Sequence, residues 1–392
     1  IRTENIDVVF HIMNKLQAVP KGIVAIKTPE MYKPYTLKVL NAAAETGQFN
    51  NIISLTCYDE MKYAPYSFFR ELVSAIFEYT VSQKLFFQND FSMFSNVDPD
   101  GLIRDLITLH KRETESAEDT RYVYFDIFLT LLQVIPNTLI FVEDFDKIDA
   151  SSYDVLKYLF GAFEQLDISF LISYDKSFSL HRDCHFLLRK PFYTEISLKP
   201  TSFEKLIEDN KLYFRNILDN FYFQRIAKYA CGSSLFIDIA IQYLIESGVY
   251  SADDDSVEMI NPKTIIIPSS LDKLIARRLN LLQDDADAMK FLASIVFMGT
   301  RIDMATVDSL GYENSREIID KLSNMGYIYE YNNCLYFPNY NLLRRNLLST
   351  ISPILLKTIA QELFDKIYNE ADIPSTAEAY LYSLLGDKEK ER

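Results

Sequence analysis

The stretch NTLIFVEDFDKID, residues 137 to 149, constrains the fold more than any other in the chain. Thr138 to Val142 are apolar or β-branched throughout, without the polar alternation of a strand that keeps one face in water. A strand of that kind has to be covered on both faces. It runs directly into acids at Glu143, Asp144 and Asp146, and the helical period of SSYDVLKYLFGAFEQL comes next, then a second apolar strand, ISFLISYD. A crossover of that length joins parallel strands. The pattern already occurs upstream, where GIVAI and NIISLTCY flank a helix over 36–46, and Ile6, Val9, Phe10, Met13 and Leu16 mark a helix before it. The fold class this predicts is α/β, a parallel sheet with helices on its faces.

The rest of the chain changes character near residue 196. From SFEKLIEDNKLYF to FIDIAIQYLIESG the period is helical, and the acidic SADDDSVE with Pro262 and Pro268 reads as a solvated linker. Helices are predicted near 271–282, 284–297, 303–309 and 313–325, followed by two alternating strands in GYIYEYNNCLYF around Asn332 and Asn333, residues that tolerate the positive φ of a tight hairpin. Helices followed by a hairpin point to a winged helix. Residues 353–392 return to amphipathic helices, and the sequence contains no internal repeat.

Charge and cysteines narrow the class of partner. With 40 Lys and Arg against 55 Asp and Glu, the net charge of −15 argues against a broad grip on nucleic acid or anionic lipid and favours protein partners. Cys57, Cys184, Cys231 and Cys334 lie far apart with no CxxC pair, so neither a zinc site nor a disulfide framework is expected and a reducing, cytoplasmic compartment is. The longest apolar run, IFLTLLQVIPNTLIFV, is broken by Gln133, Pro136 and Asn137 and is too short for a membrane span. No cleavable signal is visible, and a chain opening on Ile1 reads as an excerpt of a longer protein.

Six segments, in order, resemble the STAND class of AAA+-related signalling ATPases, in the version found in LuxR-type regulators and kinase- or cyclase-linked proteins. RTENIDVVFHIMNKL is similar to that family's opening helix, YAPYSFFREL to its YAPFxPFREAL segment, and LIFVEDFDKIDASSYDVLKYL to its acidic strand and following helix. ACGSSLFIDIAIQYLIESGV, IPSSLDKLIARRLNLL and LYFPNYNLLRRNLLSTIS match its later helices. The resemblance implies a P-loop NTPase-like α/β core over 1–196, a helical lid over 197–268, a winged helix over 269–350 and the start of TPR-like helical repeats over 351–392. In active relatives, nucleotide exchange moves the lid and winged helix.

The phosphate loop of such a family, GxxxxGK followed by Ser or Thr, lays on residues 27–34. Lys27 and Tyr32 then stand at the glycines, Lys33 at the lysine and Pro34 at the hydroxyl residue. Glycines serve there because backbone N–H groups close around phosphate oxygens with no Cβ in the way, and the hydroxyl ligates Mg²⁺. Pro34 has neither a hydroxyl nor an N–H. Lys33 alone survives as a nucleotide contact, and a structural turn with a solvated lysine is the competing reading. At the acidic strand the resemblance gives Glu143 as the Mg²⁺ position and Asp144 as the residue that orients or deprotonates water. Glu143 is one methylene longer than the usual Asp; solvated strand ends and helix caps account for such acids equally well, and Asp149 with Ser151 and Ser152 reads as a cap.

Further contacts differ from the family pattern. The strand LISYD ends in Asp175 where relatives carry an arginine, Cys231-Gly232-Ser233-Ser234 replaces a GGNP turn, and the sensing histidine matches Tyr340, or Asn339 in the adjacent frame. His181, Cys184 and His185 suggest a metal but lack further ligands, while Arg277-Arg278 and Arg344-Arg345 read as solvated helix faces. The expectation is a degenerate nucleotide-binding-like module, a switch or scaffold in a larger signalling protein. It is expected to need no cofactor, to touch protein partners or fused signalling domains but neither nucleic acid nor membrane, and to be able to oligomerise. The alternatives are a slow ATPase that uses ATP and Mg²⁺ through Lys33, Glu143 and Asp144, and a winged-helix DNA-binding regulator.

Overall fold

The structure is a computed structural model and describes residues 6–27, 36–63, 65–69, 71–72, 75, 125, 129, 132, 135–180, 184–198, 202–253, 256–312, 314–331, 333–368 and 385. The chain divides into two compact units, Ile12–Lys27 with Leu40–Ile196, and Ile1–His11, Thr28–Val39 and Ser197–Arg392.

The first unit is built on a five-stranded sheet. Its strands are β1 (Ile23–Lys27), β2 (Asn51–Thr56), β3 (Thr138–Glu143), β4 (Ile168–Tyr174) and β5 (Tyr193–Ser197), and they lie in the order β2-β3-β4-β1-β5. β1, β2, β3 and β4 run parallel, as the alternation predicts. Every residue of β3 and β4 is buried, which is the physical reason their sequences show no period of two. The register places Val142 and Ala25 opposite Ile172, Thr56 opposite Glu143, and Lys27 opposite Tyr174, so the carboxyl ends of four strands lie together. Gly22 is needed for close approach: a Cβ there would sit 2.6 Å from the Phe192 carbonyl oxygen, where β5 flanks β1.

Helix α1 (Ile6–Ala18) buries Ile12, Met13 and Leu16 but leaves Phe10 64% exposed, against the stripe read from sequence. At about 100° per residue, Phe10 lies roughly a quarter-turn or more from the line through residues 9, 12, 13 and 16. Helix α2 (Thr36–Glu45) follows β1, and α3 (Ala150–Gly161) joins β3 to β4. β5 was not anticipated, because Tyr193, Thr194 and Glu195 give it too little apolar character and only Ile196 of the strand is buried.

The second unit opens with α4 (Phe203–Asp209), α5 (Lys211–Phe214), α6 (Phe221–Ala230) and α7 (Ser234–Glu246). The acidic stretch read as a linker is instead a hairpin of β6 (Tyr250–Ala252) and β7 (Val257–Met259), anchored by buried Tyr250 and Val257. Ser251 and Glu258 are exposed polar residues within three-residue strands, so the stretch reads as solvated from sequence. Then come α8 (Leu271–Leu282), α9 (Ala286–Met298), β8 (Arg301–Asp303), α10 (Met304–Ser309), α11 (Ser315–Asn324), β9 (Tyr329–Tyr331) and β10 (Cys334–Tyr336). The predicted helix and hairpin fall where the stripe and the Asn pair place them, with Asn333 at φ 60°. The missed strand β8 pairs with β10 to give the antiparallel order β8-β10-β9, a pairing too short to read from three residues. Helices α12 (Tyr340–Thr350) and α13 (Pro353–Leu363) follow, and α13 continues into a π-helical turn at Phe364–Tyr368. Among the described residues no single helix is long and apolar enough to cross a membrane.

Candidate functional site

The candidate site is the carboxyl edge of the sheet in the first unit. Glu143 is the last residue of β3; its main-chain carbonyl accepts from the Cys57 N–H at 2.8 Å and its Oε2 from the Thr56 hydroxyl at 3.2 Å, so β2 holds it at both points. Asp144 follows in the left-handed region, φ 52°, ψ 39°, a conformation that Asp tolerates better than most residues. Both side chains are buried, with Glu143 7% and Asp144 5% exposed. The structure therefore brings the two predicted acids together at the end of one strand.

Beyond them, a turn over Phe145–Lys147 reaches across to β4. Asp146 Oδ1 accepts from the Asp175 N–H at 3.0 Å, and Asp175 itself binds the Ser177 N–H at 2.9 Å. Partial burial works to raise the Asp175 pKa, but hydrogen bonds from Ser177 and the Lys176 N–H outweigh it and hold the carboxyl below its usual value. Lys147, from the same turn, pairs with Asp59 at 3.5 Å. The thiol of Cys57 is pushed well up by burial first, then by the carboxylates of Asp144, Asp149, Asp146 and Glu71. An acidic environment surrounds this end of β2 and β3.

Asp149 has a larger role than the predicted cap. It caps α3 through the Ser152 N–H at 2.8 Å, and it also accepts from the Tyr66 N–H (2.9 Å), the Ser67 hydroxyl (3.0 Å) and the Phe68 N–H (3.1 Å). One buried carboxylate thus ties the segment at 66–68 to the start of α3. The spacing to Ser152 signals the cap, whereas no local pattern could signal partners some eighty residues away. Across the end of β1, the Tyr174 hydroxyl of β4 donates to Glu195 Oε2 of β5 at 2.6 Å, and burial followed by that bond pushes its pKa up.

Of the predicted phosphate-loop residues, Lys27 ends β1 and is half-buried opposite Tyr174, while Tyr32, Lys33 and Pro34 lie outside the described residues. Among the described residues, no three His, Cys, Asp or Glu side chains converge where they could hold a metal ion. Glu143 Oε2 is engaged by Thr56, and the neighbouring strand end presents Asp175. Glu143 and Asp144 are the residues that would hold Mg²⁺, whereas Asp175 at the neighbouring strand end would meet nucleotide phosphates with like charge.

Other residues singled out by sequence are structural. Tyr340 is a core anchor: its hydroxyl donates to the Val296 carbonyl at 2.9 Å and accepts from Arg344 at 3.0 Å. Ser233 caps α7 through the Phe236 N–H at 3.1 Å. The two arginine pairs are not solvated faces throughout, since Arg278 and Arg344 are buried while Arg277 and Arg345 are exposed. Adjacent residues on a helix point about 100° apart, so one of each pair turns inward. His181 lies outside the described residues, and the buried Cys184 thiol sits 3.9 Å from the Tyr153 hydroxyl.

No protein-family model matches the chain, and no curated protein matches it. Among solved structures it is similar to a Signal Transduction ATPase with Numerous Domains (STAND) protein with a tetratricopeptide repeat sensor from Pyrococcus horikoshii, at 13% identity and a TM-score of 0.49. That match covers 96% of this chain and 48% of the other, so the chain spans about half the length of that protein. The ORC1 protein of Aeropyrum pernix in complex with DNA aligns at 11% identity and a TM-score of 0.38, over 88% of this chain and 92% of that one. The RuvB Holliday junction branch migration motor of Thermotoga maritima aligns at 10% and 0.31, over 84% and 91%.

Proposed function

We propose that this chain is a degenerate STAND-type module that acts as a regulatory switch or scaffold within a larger signalling protein, without hydrolysing ATP. One observation carries the reading. The residue after β4, where the resemblance puts an arginine, is Asp175, fixed by Asp146 and the Ser177 N–H, and the nearby Lys147 is paired with Asp59. Phosphoryl transfer uses acids at the end of β3 to hold a metal and orient water, but at the end of β4 it asks for a cation facing the γ-phosphate, where Asp175 repels instead. On this reading residues 1–196 are an α/β core, 197–268 a helical lid, 269–350 a winged helix and 351–392 the first helices of a repeat array. The antiparallel sheet β8-β10-β9 with α9 and α11 supports the winged-helix assignment. A protein partner or fused signalling domain, not nucleotide, biases the module, which works in the cytoplasm without binding nucleic acid or membrane.

The rival reading, a slow ATPase, draws on Glu143 and Asp144 lying together at the end of β3. Thermal melting separates the two. A ligand present at one hundred times its Kd adds about 2.7 kcal/mol of stability. The melting temperature is expected to stay fixed in millimolar Mg-ATP, and to stay equally fixed in Lys33→Ala and Glu143→Gln. An ATP-dependent rise that Lys33→Ala abolishes would overturn the proposal and restore the enzyme.

A further inference from the structure

In the second unit, α6, the segment at 266–269 and α8 line an open cavity of about 570 Å³, and Glu143 and Asp144 are not among its lining residues. Its lining includes Arg225, Tyr229, Ile266, Pro268, Lys273 and Arg277. The geometry follows from helical spacing. Lys273 and Arg277 are four residues apart on α8, and Arg225 and Tyr229 four apart on α6, so each helix turns one such pair to the cavity while Leu274, Ile275 and Leu279 of α8 and Phe223 and Ile226 of α6 are buried.

The charge at this place runs against the rest of the molecule. In a chain of net charge −15, three cations line one cavity, and among the described residues none of the three makes an ion pair. Arg225 is instead held by the Tyr229 hydroxyl at 3.1 Å and lies over the Phe221 and Tyr229 rings, 6.0 and 5.7 Å from their centres. The neighbouring Arg278 provides a contrast, being buried and saturated by Glu246. Beside the cations stands apolar surface in water: Ile266 is 75% exposed and Phe221 68%. Three uncompensated cations with an aromatic ring and an exposed apolar wall are complementary to carboxylates flanking an apolar side chain.

We propose that this cavity is a docking site for an acidic peptide segment of a partner protein, one that sets Asp or Glu side chains on Arg225, Lys273 and Arg277 and rests an apolar residue on Ile266 and Pro268. The proposal rests on the protein-partner reading above and gives that partner its chemistry. It also reconciles an acidic protein with an acidic ligand, because a local cationic cavity selects one segment while the overall charge repels others.

The test uses the full chain on an array of random nonapeptides, followed by fluorescence anisotropy with the best labelled peptide. Selected peptides should be enriched in Asp and Glu around a central apolar residue, and their affinity should fall as salt is raised. Lys273 and Arg277 are exposed, so the K273E/R277E variant should keep the parent melting temperature while losing roughly tenfold or more in affinity. The same variant should gain affinity for the peptide with its acids replaced by Lys, a charge swap that structural damage cannot produce. Selection without acidic enrichment, or affinity unchanged in K273E/R277E, would overturn the site. A parallel arm with millimolar Mg-ATP keeps the two proposals apart: an ATP-dependent melting shift with peptide binding intact refutes the switch reading alone, and a fixed melting temperature with no acidic selection refutes the docking site alone.

Discussion

Replacing Arg278 by alanine should destabilise the second unit more than any surface change. The guanidinium donates to both carboxylate oxygens of Glu246, with Nε at 3.1 and 3.0 Å and a terminal nitrogen at 2.6 Å, and this links α8 to α7. It also donates to the Met325 carbonyl and lies 4.5 Å from the centre of the Tyr327 ring. The two side chains are 5% and 7% exposed, so little solvent screens the pair and truncation leaves Glu246 charged and buried without its main partner. Breaking a buried pair in this way costs about 3–5 kcal/mol. For a unit of this size about 2–4 °C accompanies each kcal/mol, so Arg278→Ala should lower its melting temperature by roughly 6–20 °C. Differential scanning calorimetry of the full chain reads this directly, with the exposed neighbour Arg277→Ala as the control that should move little. The double variant Glu246→Leu/Arg278→Met removes both charges and should recover much of the loss. A drop below about 2 °C for Arg278→Ala would refute the reasoning, since a pair so nearly enclosed cannot be lost at the cost of a solvated one.

Asp149→Ala should remove four accepted hydrogen bonds at once and cost about 3 kcal/mol or more, and hydrogen exchange should show the Tyr66 and Phe68 amides losing protection together. Thiol titration with a chromogenic disulfide should find one fast cysteine in the native protein, exposed Cys231, and four after denaturation, the other three being buried free thiols. Cys231→Gly should abolish the fast phase and raise the melting temperature slightly, because Cys231 ends α6 in the left-handed region at φ 47°, where glycine carries no Cβ penalty. The Lys321 hydrogen bond first, then the Ala288 N–H, holds the Asp285 pKa below its usual value, so its contribution is complete above the unfolded carboxyl pKa of about 4 and is lost as pH falls through the lower folded value. Melting temperature should fall on acidification below about pH 4, and less steeply in Asp285→Asn; equal slopes would refute the assignment.

What the sequence determined by itself is whatever depends on near neighbours. The fully apolar runs of β3 and β4 and the helix between them required parallel strands, because a crossover of that length and burial on both faces admit little else. The cap at Asp149, the hairpin around Asn333 and the boundaries of α8 were legible for the same reason, since each rests on residues at most a few positions apart. The acids Glu143 and Asp144 were likewise visible as a pair at a strand end. Tertiary structure decided what those residues touch. Which of Arg277 and Arg278 is buried, that Asp149 holds a segment some eighty residues upstream, that Asp146 closes onto Asp175, and that Arg225 shares a cavity with Lys273 all depend on contacts between elements. The short strands β6, β7 and β8 belong with them: three residues carry no measurable period, and only the partner strand makes them strands.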